Sequence, residues 1–161
     1  MLTNEVAKAL LKQVDEEFRS ERFYIAMEQY FKRLDLNGYA KLFHEYALEE
    51  RKHAYMMLDF LDEWNHSTAI GELKAVKTNF KDPKDVFECA YKHEQYITKC
   101  ILNILDLARE KKDNVAIQFL DWFVQEQREE EDKMLTRLNR LTLAGNNMSA
   151  ILFLDHEDGI E

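Results

Sequence analysis

Glu49-Glu50-Arg51-Lys52-His53 interrupts an apolar stripe. Tyr39, Phe43, Tyr46, Glu50, His53, Met57, Phe60 and Trp64 recur three or four residues apart, the pattern of a core-facing helix face. A Glu and a His at i, i+3 share that face, about 5–6 Å apart at Cβ. A buried carboxylate with no partner is costly. A divalent metal ion turns that cost into binding, and the pair then reads as two ligands of an incomplete site.

Three further stripes carry the same anomaly. One row reads Leu10, Glu17, Tyr24, Phe31, with Val6, Met27 and Leu34 in the companion row. Another reads Phe87, Ala90, Glu94, Ile97, Ile101, Ile104, Ala108. The last reads Ala116, Leu120, Phe123, Gln127, Glu130, Met134, Leu138, Leu141. In each, the polar residue lies near mid-helix. Helices of similar length packed in a bundle would bring these side chains to one depth, whichever way each runs. Four buried carboxylates would repel one another as well as lose hydration. No Lys or Arg occupies the neighbouring stripe positions. Two divalent ions would balance the four negative charges. Oxygen donors with one imidazole suit iron or manganese, with zinc also compatible. Each residue alone has a plainer reading: a hydrogen-bonded core Glu or His, or an amide that sets helix register. Their coincidence at one depth favours the metal.

Elements able to hold such a layer follow from composition. The chain has 161 residues, 46% apolar and 33% charged, with one Pro and four Gly, which leaves room for long helices and few turns. The expected class is all-α, in a single domain over 1–161. Helices are expected at about 4–34, 39–64, 83–112, 115–144 and 148–156. Thr3 or Asn4 can cap the first. Asp35-Leu36-Asn37-Gly38 reads as a turn, with Asn-Gly suited to positive φ. Asp82-Pro83 is a capping carboxylate before a proline at the first helical position. Gly145 closes the fourth helix. Residues 66–82 have no period. Extended, they can reach about 55–60 Å, more than the roughly 40 Å length of the second helix. They can therefore return to the far end of a four-helix bundle. The apolar stretch Met148–Leu154 lies beyond a bundle already complete. It suits a subunit contact or a fold back over one end of its own bundle.

Glu49, Glu126 and Glu129 flank Glu50, Gln127 and Glu130 and could hold a further cation between the second and fourth helices. They could equally form a solvated acidic face. The Tyr24 hydroxyl could touch the polar layer, or Tyr24 could be an ordinary core tyrosine. Cys89 and Cys100 fall too far apart along one helix to bridge, and read as free thiols. The net charge of −9 argues against a nucleic-acid partner and suits attraction of cations. No apolar run is long enough to span a membrane. The first residues lack a signal-peptide pattern, so a cytoplasmic location is the default expectation.

The ligand pattern resembles the ferritin-like dimetal carboxylate bundles, in which two helices give a Glu each and two give Glu-x-x-His. That template belongs to the family and is not obtained from spacing. Here Gln127-x-x-Glu130 replaces one Glu-x-x-His, unlike bacterioferritin and rubrerythrin. Glu17 to Tyr24, Glu49 to His53, Asp85-Val86-Phe87-Glu88 leading to His93-Glu94, Trp122 to Glu131 and the Phe153-Leu154-Asp155 tail together resemble a bacterial-type non-haem ferritin. The resemblance spans essentially the whole chain.

It implies a ferroxidase that oxidises Fe(II) with dioxygen or hydrogen peroxide and stores the product as a ferric oxyhydroxide mineral. Glu17, Glu50 and His53 would hold one iron. Glu50, Glu94 and Glu130 would hold a second, with Gln127 alongside and Tyr24 next to the centre. Glu49, Glu126, Glu129 and Glu130 match a third iron position. Lys52 stands near where a haem-ligating Met is expected in bacterioferritin, so no haem is expected. The implied assembly is a cage of about 24 subunits with the fifth helix at its fourfold axes. A di-iron peroxidase or oxidase that forms no cage is the alternative.

Overall fold

The computed structural model describes residues 1–160. It consists of five helices: α1 (Asn4–Arg33), α2 (Asn37–Glu63), α3 (Pro83–Glu110), α4 (Asn114–Ala144) and α5 (Met148–Ile160). The first four form the bundle. None is long and apolar enough to cross a membrane.

Local chemistry sets most helix starts. Thr3 Oγ1 accepts from Val6 N, and the Asp82 carboxylate accepts from Asp85 N ahead of Pro83. Asp113 serves two chain ends at once. One oxygen caps α4 at Ala116 N, and the other accepts from Thr3 N, tying the start of α1 to the start of α4.

The crossing segment runs along α1. His66 meets the Leu2 carbonyl near the start of that helix. Gly71 N donates to Asp15 midway. Phe80 packs on Phe23 and Tyr30 further along. α3 therefore begins beside the end of α1, where Phe87 meets Phe31 and Tyr39. It runs antiparallel to α1 and parallel to α2.

Several details depart from the sequence reading. Positive φ falls on Asp35 (57°), whereas Asn37 and Gly38 already belong to α2. Leu34 and Trp64 lie beyond their helices and are exposed. Arg137 is a buried cation that the stripe pattern did not reveal. Its Nε lies 3.4 Å from Asp158 of α5.

α5 folds back over the start of α2. Leu36 provides no side-chain cap there. Asp155 supplies one from a distance, its Oδ1 accepting from Tyr39 N at 2.8 Å. A carboxylate also suits the positive end of the helix dipole. Lys41 Nζ donates to the Gly159 carbonyl. Gly38 and Gly159 allow the two backbones to touch: a Cβ at Gly38 would lie 1.8 Å from the Asp155 carbonyl oxygen. One face of α5 is thus spent on its own bundle. Met148, Leu152 and Phe153 remain exposed, with Leu143 of α4.

The apolar core is divided. One cluster takes Val6–Val14 positions of α1 with Ala54–Leu61, Ile97–Ala108 and Ala116–Phe123. The other takes Tyr24–Phe31 with Tyr39–Ala47, Val86–Ala90, Met134 and Leu141. Between them, at one depth on all four helices, lie Glu17, Glu50, His53, Glu94, Gln127 and Glu130.

Candidate metal centre

Each of these six side chains is at most 3% exposed. The helix periodicity that buries the flanking Leu, Phe and Ile residues buries these too, because they occupy the same stripe positions. Glu17 from α1 and Glu50 and His53 from α2 converge. One ligand atom of each lies within 4.8 Å of the other two. His53 Nδ1 stands 3.6 Å from Glu50 Oε2, beyond a hydrogen bond. Trp122 and Phe123 turn their rings edgewise to the imidazole.

Glu94 faces this group from α3. The Tyr24 hydroxyl donates to its Oε1, and Gln127 Nε2 donates to its Oε2 at 3.0 Å. Tyr24 therefore touches the layer directly. Glu130 turns towards Glu49 and Glu126, and one oxygen of each lies within 4.8 Å of the others. Glu129 does not join them. It is exposed and lines a groove between α3 and α4 with Tyr91, Arg128, Glu131 and Asp132.

The layer contains too many acceptors for the donors present. Both oxygens of Glu17, both of Glu130, Glu49 Oε2 and His53 Nδ1 are buried without a hydrogen-bond partner. The nearest Lys nitrogen, Lys133 Nζ, is 3.9 Å from Glu130 Oε1 on a half-exposed side chain. The carboxyls hold their protons instead. Burial, then the Glu50 charge, holds the Glu17 carboxyl well above the usual carboxylate range. Burial and the Glu94 charge do the same to Glu50. Burial raises Glu94, against the pull of the Tyr24 and Gln127 hydrogen bonds. Glu130 is pushed up to about 9 by burial, Glu94 and Glu49. Orphaned carboxylate oxygens beside an unpartnered imidazole fit oxygen-loving divalent cations.

A stability signature follows. In the unfolded chain these groups ionise near 4.5. Between that pH and the raised folded values, the native state holds more protons than the unfolded one. Their contribution to stability therefore falls as pH rises through that window. A divalent ion displaces the protons, so its stabilising increment must grow with pH. We expect the rise in thermal midpoint on adding Zn(II) to chelated protein to be small at pH 5.5 and large at pH 8.5. A pH-independent increment would contradict this protonation pattern.

Sequence spacing missed Thr98, Glu131, Ser20 and His93. Thr98 bridges Gln127 and Glu131. Its place at i+4 from Glu94 was the available signal. Ser20 Oγ meets His93 Nε2 at 2.7 Å behind Tyr24, and burial pushes His93 down to about 4, leaving a neutral imidazole.

Known proteins resemble this chain over nearly its whole length. A bacterial non-heme ferritin of Campylobacter jejuni is 32% identical over 96% of this chain and 93% of its own. One of Staphylococcus aureus is 30% identical over 99% and 96%. The solved open-pore ferritin of Archaeoglobus fulgidus superposes with a TM-score of 0.97 at 31% identity, covering 100% of this chain and 99% of that one. The family model for the ferritin-like domain matches residues 7–144. That match takes in all four helices that contribute to the polar layer, and the chain belongs to the ferritin family.

Proposed function

We propose that this protein is an iron-storage ferritin, with Fe(II) as substrate and a ferric oxyhydroxide mineral as stored product. The observation that carries this reading is the buried layer of carboxylates and one imidazole between two apolar clusters, most of its oxygens without a hydrogen-bond donor. Such a layer is costly unless cations enter it. Glu17, Glu50 and His53 hold one iron. Glu50, Glu94 and Glu130 hold the second, with Gln127 beside them. Each Fe(II) gives up one electron, and the oxidant is dioxygen or hydrogen peroxide. The polypeptide contributes by holding the pair close together and excluding bulk water. Tyr24 keeps Glu94 directed at the centre through its hydroxyl. Glu49, Glu126 and Glu130 form a third position on the way out of the layer, and Glu129 is a neighbour of it rather than a member. Lys52 stands near where bacterioferritin has its haem-ligating Met, and this scheme uses no haem.

The storage reading needs an enclosed space. The apolar face left by α5 and Leu143 supports assembly into a cage of about 24 subunits. Fe(II) addition in air, with particle mass measured by light scattering on the same sample, tests both halves. The expected result is a particle near 24 chain masses that retains iron far beyond three ions per chain. A small particle that oxidises Fe(II) but retains none would instead mark a ferritin-like oxidase or peroxidase.

A further inference from the structure

Gln127 reaches Glu94 through its amide nitrogen, and that orientation is imposed from outside the polar layer. Nε2 lies 3.0 Å from Glu94 Oε2, 3.2 Å from the Glu94 backbone carbonyl oxygen and 3.3 Å from Thr98 Oγ1. The role of Thr98 depends on where its single hydroxyl hydrogen goes. Its Oγ1 sits 2.6 Å from Glu131 Oε2 and 3.0 Å from the Glu94 carbonyl one turn back. A hydroxyl–carboxylate bond that short is charge-assisted and roughly twice as strong as a neutral one. The hydrogen therefore belongs to Glu131. Thr98 turns a lone pair to Gln127, and the Glu94 carbonyl also remains free to accept. Only acceptors then surround Gln127 Nε2. An inverted amide would set its oxygen against three others.

We propose that Glu131, acting through Thr98, is a positioning residue that locks the Gln127 amide onto Glu94 and so pre-forms Glu94 for one of the two iron positions. This rests on the ferroxidase reading above. Glu94 has both oxygens held, by Tyr24 and by Gln127. Neither oxygen of Glu130 is held, and Glu17 meets only the Glu50 carboxyl, itself a candidate ligand. Glu94 is thus the carboxylate whose direction is set before a metal arrives, and outer partners of this kind tune affinity. Without Glu131, the Thr98 hydroxyl returns to the Glu94 carbonyl, the i−4 bond threonines make within helices. That hydrogen is then also free to meet an inverted Gln127 amide oxygen, and the orientation of the side chain loosens.

Anaerobic Co(II) titration of the assembled protein, read by calorimetry and visible absorption, tests this. Thr98→Val keeps the shape and removes the hydroxyl. Thr98→Ser keeps the hydroxyl. Glu131→Ala removes the acceptor. Thr98→Ser should match the wild type. Thr98→Val and Glu131→Ala should each weaken one Co(II) position of the central pair by about tenfold. Each should also shift that position's absorption band and leave the other position unchanged. Wild-type affinity and spectrum in either variant overturns the proposal. So does equal loss at both positions, or a Thr98→Ser variant as impaired as Thr98→Val, since either marks a general packing effect. Failure of the ferroxidase reading shows separately: Glu50→Ala would then retain fast Fe(II) oxidation, whatever the Thr98 variants do.

Discussion

Glu50→Ala and His53→Ala are each expected to slow the initial oxidation of Fe(II) by about a hundredfold or more, with particle mass unchanged. Glu50 has the larger claim. Its carboxylate lies within ligand reach of Glu17 and His53, and the Glu94 charge acts on it directly. In the proposed centre it is the ligand shared by both irons. His53 is the one imidazole among the six residues of the layer, and its Nδ1 is buried with no hydrogen-bond partner. Removing Glu50 leaves three carboxylates, and removing His53 leaves four with no imidazole; either way the ligand set is incomplete. Stability should move differently from activity. Glu50→Gln keeps the shape of the side chain and removes one of four mutually repelling acids. In chelated protein its thermal midpoint should match or exceed the wild type. Removing half of a buried, satisfied ion pair would instead destabilise strongly. Stopped-flow traces and chelated melts on the same samples separate these outcomes. Wild-type initial rates in both alanine variants would remove this centre from the oxidation.

The second large effect lies far from the metal layer. Gly38→Ala should detach α5 from α2. The added Cβ would sit 1.8 Å from the Asp155 carbonyl oxygen and 2.7 Å from its carbonyl carbon, both backbone atoms that cannot swing aside. Relieving the clash requires α5 to lift. That breaks the Asp155 cap on Tyr39 N and the Lys41 bond to Gly159, and strains the Arg137–Asp158 pair. Overpacking of this kind costs about 1–3 kcal/mol, and each lost hydrogen bond about 1 kcal/mol more. The exposed apolar face of α5 would also be misplaced, so the assembled particle should be lost or reduced in mass. Gly71→Ala is the control. Its Cβ would meet only the tip of the Asp15 side chain, which can rotate away. Urea denaturation with light scattering distinguishes the two. A Gly38→Ala protein with wild-type midpoint and particle mass would show that the close crossing is dispensable.

Much of this molecule is legible in one dimension because the relevant interactions are periodic. Stripes at 3.6-residue spacing define long helices. A polar residue at a stripe position must be buried if the stripe is. Glu17, Glu50, His53, Glu94, Gln127 and Glu130 were identifiable for that reason, as was their common depth. Asp82-Pro83 and Thr3 are local caps that involve only neighbouring residues. The long segment 66–82 implied a return along the bundle from its length alone.

What the chain could not reveal in one dimension depends on atoms brought together from distant positions. Arg137 occupies an unremarkable place between Met134 and Leu138. Only the fold sets Asp158 against it. Gly38 read as a turn residue, and its role appears only when the Asp155 backbone arrives from more than a hundred positions away. The periodicity of α4 places Glu126, Glu129 and Glu130 close together, but the side-chain directions decide that Glu130 and Glu126 meet Glu49 while Glu129 faces the α3 groove. Thr98 and Glu131 look like ordinary surface residues in sequence, and their bond joins α3 to α4. Helix periodicity determines which residues are buried and at what depth. Which buried atoms touch is decided by helix rotation and crossing geometry, to which a stripe of residue types is blind.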